Sequence, residues 1–256
     1  MQDLRVTLVQ TEQFWEDKTK NLNHFSNLLS TVDDTDLIIL PEMFHTGFTM
    51  NAETLAETMN NSVGINWLKE QAKQKNAAFY TSLIVKEDSK FYNRGIFVKP
   101  SGEIMTYDKR KTFGLAGEDK VYKAGDEKVI VNYKDWNIQL QVCYDLRFPE
   151  ISRNKLIDNK PLYDVLIYVA NWPEKRSEHW KNLLQARAIE NQSYVIAVNR
   201  IGEDTNKLTY SGDSMILDAL GDKETLTPNK TEVKQSILKY NELIKIRQSL
   251  PFLKDV

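Results

Sequence analysis

Two periods of apolar residues run through this chain, and the switches between them outline its elements. Leu4 to Gln10 reads as a strand, and Leu22, Phe25, Leu28 and Leu29 recur at helical spacing between Asp17 and Ser30. DLIILPE is a short apolar run stopped by Pro41, which predicts a buried strand delivering Glu42 at its carboxyl end. Ser62 to Asn76 predicts a helix. AFYTSLIV and GIFVKPSGEIMTYD read as paired strands with a turn at Pro100 to Gly102. KVIVNYKDWNIQLQVCYD alternates on either side of a Lys134-Asp135 turn, and FPEISRNKLI predicts a helix opened by Pro149. DVLIYVANW then predicts a strand and His179 to Asn191 a helix. SYVIAVNR, SMILDALGD and QSILKY predict strands, and Asn241 to Ser249 a last short helix. Such alternation predicts an α/β fold with helices covering mixed sheets. No repeat or Gly/Ser/Pro linker divides the chain, so residues 1–256 read as a single domain.

Composition narrows the setting more than the chemistry. With 41% hydrophobic and 27% charged residues and a net charge of -2, nothing favours nucleic acid or an anionic membrane as a partner. No apolar run approaches the length of a membrane span, and one cysteine excludes an internal disulfide framework or a multi-cysteine metal site. The expectation is a cytoplasmic protein.

Ligands of open α/β folds gather at the carboxyl ends of strands. Three such ends carry reactive groups: Glu42 after DLIILP, Lys109 in YDKRKTF, and Cys143 after IQLQV. Taken singly, each has an ordinary explanation: a helix-start acid, a solvated basic loop, a packed thiol. Together they suit thiol-based amide hydrolysis. Glu42 would take the thiol proton, Cys143 would attack, and a lysine ammonium with the backbone N–H of Tyr144 would hold the oxyanion, without metal or cofactor. GxSxG, HExxH, GxxxxGK[ST] and GxGxxG motifs are all missing. A Cys-His dyad remains open at this point, with His179 its best candidate.

Four blocks in order, LPEMFHTGF, YDKRKTF, VCYDLRFPE and ANWPEKRSEHWKNLLQARAIENQSYVIAVNRIG, resemble the nitrilase superfamily of carbon-nitrogen hydrolases, and within it the omega-amidases. The resemblance runs from Leu4 to the carboxyl end. It implies a four-layer αββα sandwich, commonly paired as a homodimer, and a Glu42-Lys109-Cys143 triad supported by Glu118. Aligning Tyr107 and Phe113 with the family pattern selects Lys109 over Lys111, although Lys111 and Thr112 stand where the family more often has His and Leu. It also implies a small-molecule substrate, the terminal amide of a short 2-oxo dicarboxylic acid monoamide. Arg147 is then a candidate for the substrate carboxylate, unless it pairs with Asp145 or Glu150. Phe44, Phe113 and Trp172 are candidate wall residues, and Asn171 and Glu174 further lining. Rival readings are a nitrile, N-carbamoyl amino acid or deaminated glutathione hydrolase on the same triad, or a non-catalytic binding protein on the same fold.

Overall fold

The computed structural model describes residues 2–256. Two six-stranded mixed sheets form its centre. The first contains β1 (Leu4–Gln10), β2 (Leu37–Ile39), β3 (Ala78–Glu87), β4 (Lys90–Val98) and β5 (Ile104–Asp108), edged by the late strand β12 (Glu232–Leu238), in the order β12-β1-β2-β3-β4-β5. The second contains β6 (Ile130–Tyr133), β7 (Trp136–Val142), β8 (Val165–Ala170), β9 (Tyr194–Asn199), β10 (Met215–Leu217) and β11 (Lys223–Thr225), in the order β11-β10-β9-β8-β7-β6. In each sheet the three middle partners, β1-β2-β3 and β7-β8-β9, run parallel. Parallel neighbours need crossovers; helices α1 (Lys18–Leu29), α2 (Val63–Lys75) and α3 (Ser177–Asn191) supply those of β1-β2, β2-β3 and β8-β9, and short turns with a small hairpin supply that of β7-β8. A fourth helix, α4 (Tyr240–Ser249), follows β12.

Strand alternation sorts the side chains into layers. Leu37 and Ile39 of β2 join the central core with Leu140 and Val142 of β7, whereas Ile38 faces outward to pack with Phe25 of α1 and Leu68 of α2. Across the centre, the Tyr80 hydroxyl donates to the Gln141 carbonyl at 3.1 Å, stitching one sheet to the other. On the far side Trp180, Leu184 and Ala188 of α3 pack on the second sheet. The result is the αββα sandwich.

Local signals account for the ends of these elements. Asp17 accepts from the Lys20 N–H at 2.9 Å and Ser62 from the Ile65 N–H at 2.9 Å, capping α1 and α2. α2 ends at Asn76 and α3 at Gln192, both in the left-handed region. The Lys134-Asp135 turn has positive φ at both residues, matching the two-residue hairpin.

One expected element shrinks. The helix predicted across FPEISRNKLI covers only Pro149–Ser152. Asn154 ends it by bonding its N–H to Asn191 Oδ1 at 2.8 Å and its side chain to the Tyr163 and Asn191 carbonyls. The chain then folds into a small hairpin between Leu156 and Pro161.

Candidate active site

The carboxyl ends of β5, β7 and β8 open on one cavity of about 570 Å³, and the end of β2 lies buried beside it. Glu42 follows β2. Its carboxylate is fully buried, and its backbone carbonyl is held by Gln13 Nε2 at 3.0 Å and Asn171 Nδ2 at 2.7 Å. Glu42 Oε1 accepts from Lys109 Nζ at 3.0 Å and Asn93 Nδ2 at 2.8 Å, and Oε2 accepts from the Asn171 N–H at 2.8 Å.

Lys109 lies just beyond β5, almost wholly buried. Its ammonium meets both oxygens of Glu118 at 2.9 Å besides Glu42. Burial works against its charge, but Glu118 and then Glu42 outweigh that and hold its pKa above the ordinary value. Glu118 Oε2 also accepts from the Phe113 N–H at 2.5 Å, and Glu118 Oε1 from Asn93 Nδ2 at 3.2 Å. Lys111 takes no part. Its ammonium pairs with Glu150 at 3.4 Å and lies over the Phe148 ring.

Cys143 follows β7 and opens a tight turn, with φ at +48°. A non-glycine residue in that region is strained, and the turn projects the thiol into the cavity. Burial raises the Cys143 pKa and Glu42 adds to the effect, with Lys109 opposing. One ammonium stands against two carboxylates beside it, a balance that favours the protonated thiol. Two residues on, the buried Asp145 accepts from the Val142 N–H at 3.0 Å, the Tyr107 hydroxyl at 2.8 Å and the Lys111 N–H at 2.9 Å. The Cys143 turn is thereby tied to the loop that carries Lys109.

Tyr144, Arg147, Phe113, Asn171 and Trp172 line the cavity. Arg147 pairs with neither Asp145 nor Glu150. Its guanidinium lies over Trp172, 4.7 Å from the ring centroid, and donates to His179 Nδ1 at 3.1 Å. That bond, on an exposed ring, leaves His179 with Arg147 rather than in the cavity wall.

Two expected wall residues lie elsewhere. Phe44 is fully buried in the outer core, 5.4 Å from Phe25 and 5.3 Å from Trp67 between ring centroids, because the chain reverses at Met43 (φ +45°) and sends the next side chain away from Glu42. Phe48 supplies the aromatic wall instead, with Lys109 Nζ 5.2 Å from its ring centroid. Glu174 is exposed on the short turn Glu174–Arg176, which Pro173 initiates, and Arg176 from the same turn faces the cavity. Sequence reasoning missed Asn93, Phe48 and Arg176. None carried a signal of its own: even Asn93, in β4, sits beside Arg94 ahead of the apolar run GIFV.

Fold and site together define an α/β sandwich protein built round a buried thiol, acid and ammonium. The chain belongs to the carbon-nitrogen hydrolase family, whose model matches residues 5–233. It is 46% identical to the omega-amidase YafV of Yersinia enterocolitica over 222 residues, covering 87% of this chain and 84% of that protein. It is 34% identical to the 2-oxoglutaramate amidase of Paenarthrobacter nicotinovorans, covering 91% and 82%. Among solved structures, a carbon-nitrogen hydrolase superfamily protein from Xanthomonas campestris with an arsenic adduct in its active site superposes with a TM-score of 0.97 at 38% identity, covering 100% of this chain and 98% of that one.

Proposed function

We propose that this protein is an omega-amidase, hydrolysing the terminal amide of 2-oxoglutaramate or 2-oxosuccinamate to the 2-oxo acid and ammonia. The observation that carries the reading is that Lys109 and Cys143 line one cavity and that Glu42, buried beside them, accepts from Lys109 Nζ at 3.0 Å through Oε1. The omega-amidase and 2-oxoglutaramate amidase relatives favour this substrate over other amides.

Glu42 takes the thiol proton as Cys143 Sγ bonds to the amide carbon. The carbonyl oxygen becomes an oxyanion, received by the Lys109 ammonium and the Tyr144 backbone N–H. Glu42 passes the proton to the nitrogen, the C–N bond breaks, and ammonia leaves a thioester on Cys143. Glu42 then deprotonates a water that attacks the thioester carbon. Collapse of the second intermediate breaks the C–S bond, frees the acid and returns the proton to the thiol. Glu118 and Asn93 steady Lys109 and Glu42, while Arg147, seated on Trp172 without an acid partner, receives the substrate carboxylate. Asn171 and Phe113 complete the wall.

On the same reading residues 1–256 act as one domain in the cytoplasm, as a homodimer; exposed apolar Ile189 and Leu220 offer surface for such a contact. Sedimentation and fractionation test the dimer and the location. The substrate is tested by ammonia or acid release from 2-oxoglutaramate, 2-oxosuccinamate, glutamine, a nitrile, an N-carbamoyl amino acid and deaminated glutathione side by side. The 2-oxo amides should give the highest kcat/KM. A clear preference for any other compound overturns the assignment.

A further inference from the structure

Two guanidiniums face the cavity without an acid to answer them. Arg147 and Arg176 both line it, and neither forms an ion pair among the described residues. The carboxylates that might serve them are engaged elsewhere: Glu150 with Lys111, and Asp145 with Tyr107 and two backbone N–H groups. The acid in the wall, Asp204, is occupied by the Tyr210 hydroxyl at 2.8 Å and the N–H groups of Asn206 and Leu208 at 2.8 and 3.0 Å. Each guanidinium is instead laid on an aromatic ring, Arg147 over Trp172 and Arg176 over Phe113 at 5.4 Å. Such stacking fixes the plane; Arg147 spends one N–H on His179 Nδ1, and the remaining donors of both guanidiniums stay free. The two charges also feel each other: after burial, Arg176 is among the groups that lower the Arg147 pKa. A half-buried pair of like charges with free donor edges is built to receive an anion.

We infer that Arg176 determines specificity: with Arg147 it forms a two-guanidinium seat for the carboxylate and adjacent 2-oxo oxygen of the substrate, and it repels a 2-ammonium group. This rests on the substrate reading above and sharpens it. The acid end of a 2-oxo acid offers three oxygens, all acceptors. The matching amino acid offers two oxygens and an ammonium, which is a cation and a donor set against cations and donors. The seat therefore separates 2-oxoglutaramate from glutamine, two amides of nearly equal size, by charge and hydrogen-bond sense.

The test compares wild type, Arg176→Gln and Arg176→Lys on 2-oxoglutaramate, glutaric acid monoamide and glutamine, measuring ammonia release. Arg176→Gln should lower kcat/KM for 2-oxoglutaramate by about 10- to 100-fold, mainly through KM, and less for the monoamide that lacks the oxo group. Its rate on glutamine should hold or rise, so that the preference for 2-oxo over 2-amino shrinks by at least about tenfold. Arg176→Lys, which keeps the charge but not the fork, should still reject glutamine. Melting temperature and the alkylation rate of Cys143 check that the variants keep their fold. An unchanged preference in Arg176→Gln, or equal losses on all three substrates, overturns the role of Arg176 while the substrate reading stands. A wild-type enzyme that ignores 2-oxoglutaramate but cleaves another amide overturns the substrate reading and the seat with it.

Discussion

Replacing Glu118 by Gln removes one negative charge from a buried cluster of two carboxylates and one ammonium while keeping size and shape. Glu118 accepts four bonds: two from Lys109 Nζ, one from Asn93 Nδ2 and one from the Phe113 N–H. A glutamine oxygen can replace only one side of this set, and its NH₂ then faces donors on the other, so two of the four bonds are lost whichever way it turns. With charge-assisted bonds worth about 1.5–3 kcal/mol each, the loss is about 3 kcal/mol or more, which lowers the melting temperature by about 6–12 °C in a chain of this size. Turnover should fall by about 100-fold or more, because Lys109 is no longer held where the oxyanion forms. The thiol should respond the other way. Glu118 is among the groups that raise the Cys143 pKa, so its neutralisation makes the thiolate easier to form, and alkylation by iodoacetamide at fixed pH should speed up several-fold. Circular dichroism melting, ammonia release and intact-mass alkylation kinetics measure the three effects on one preparation. Turnover and alkylation falling by the same factor would refute the reasoning, since Glu118 would then be supporting the fold alone.

Other substitutions probe the frame around the site. Cys143 has φ at +48°, a conformation that suits glycine, so Cys143→Gly should melt at or above Cys143→Ala, although glycine normally destabilises by about 0.5–1 kcal/mol relative to alanine. A Gly variant clearly less stable than the Ala variant contradicts strain at the turn. A Cβ on Gly125 would stand 2.4 Å from the Asp108 carbonyl oxygen, and Gly125 itself donates to the Lys109 carbonyl at 3.0 Å. Gly125→Ala should therefore destabilise by about 1–3 kcal/mol and reduce turnover, checked by urea unfolding and ammonia release. Burial works to raise the Asp36 pKa, but bonds from Arg5 and Lys134 outweigh it and hold it at about 2, against 3.8 when unshielded. Solvent screening at the partly exposed Arg5 and Lys134 weakens these bonds, so Asp36 contributes about 1 kcal/mol above pH ~4, lost as pH falls through ~2. Asp36→Asn should remove this at neutral pH and flatten the stability curve between those values; an unaltered acid limb would rule it out.

Much of the site was legible because its residues sit where strands stop. Pro41 ends the β2 run, Asp108 ends β5 and Val142 ends β7, so the neighbouring Glu42, Lys109 and Cys143 could be named from the pattern of apolar residues. Family spacing selected Lys109 over Lys111, and burial and partners now separate them, the first inside and held by two acids, the second at the surface with Glu150. Side-chain direction in the turns was not legible. Phe44 and Glu174 are each close in sequence to site residues, yet the left-handed Met43 and the turn begun by Pro173 send them away. Arg176 looks like one of several solvated charges in PEKRSEH until the same turn brings it against Phe113. The short helix after Cys143 was overestimated because nothing local announces the Asn154 bonds to Asn191, 37 residues away.

The most direct test of the account is the mass of the enzyme quenched in acid during turnover. Wild type quenched soon after mixing with excess 2-oxoglutaramate should carry on Cys143 an adduct with the mass of 2-oxoglutaramate less one ammonia, located by peptide mapping. Glu42→Gln, which loses the base for attack by the thiol as well as by water, should form it far more slowly. Cys143→Ala should carry no adduct and release no ammonia while keeping its fold. Continued ammonia release by Cys143→Ala, or an adduct mapped to another residue, would contradict the claim that Cys143 is the nucleophile.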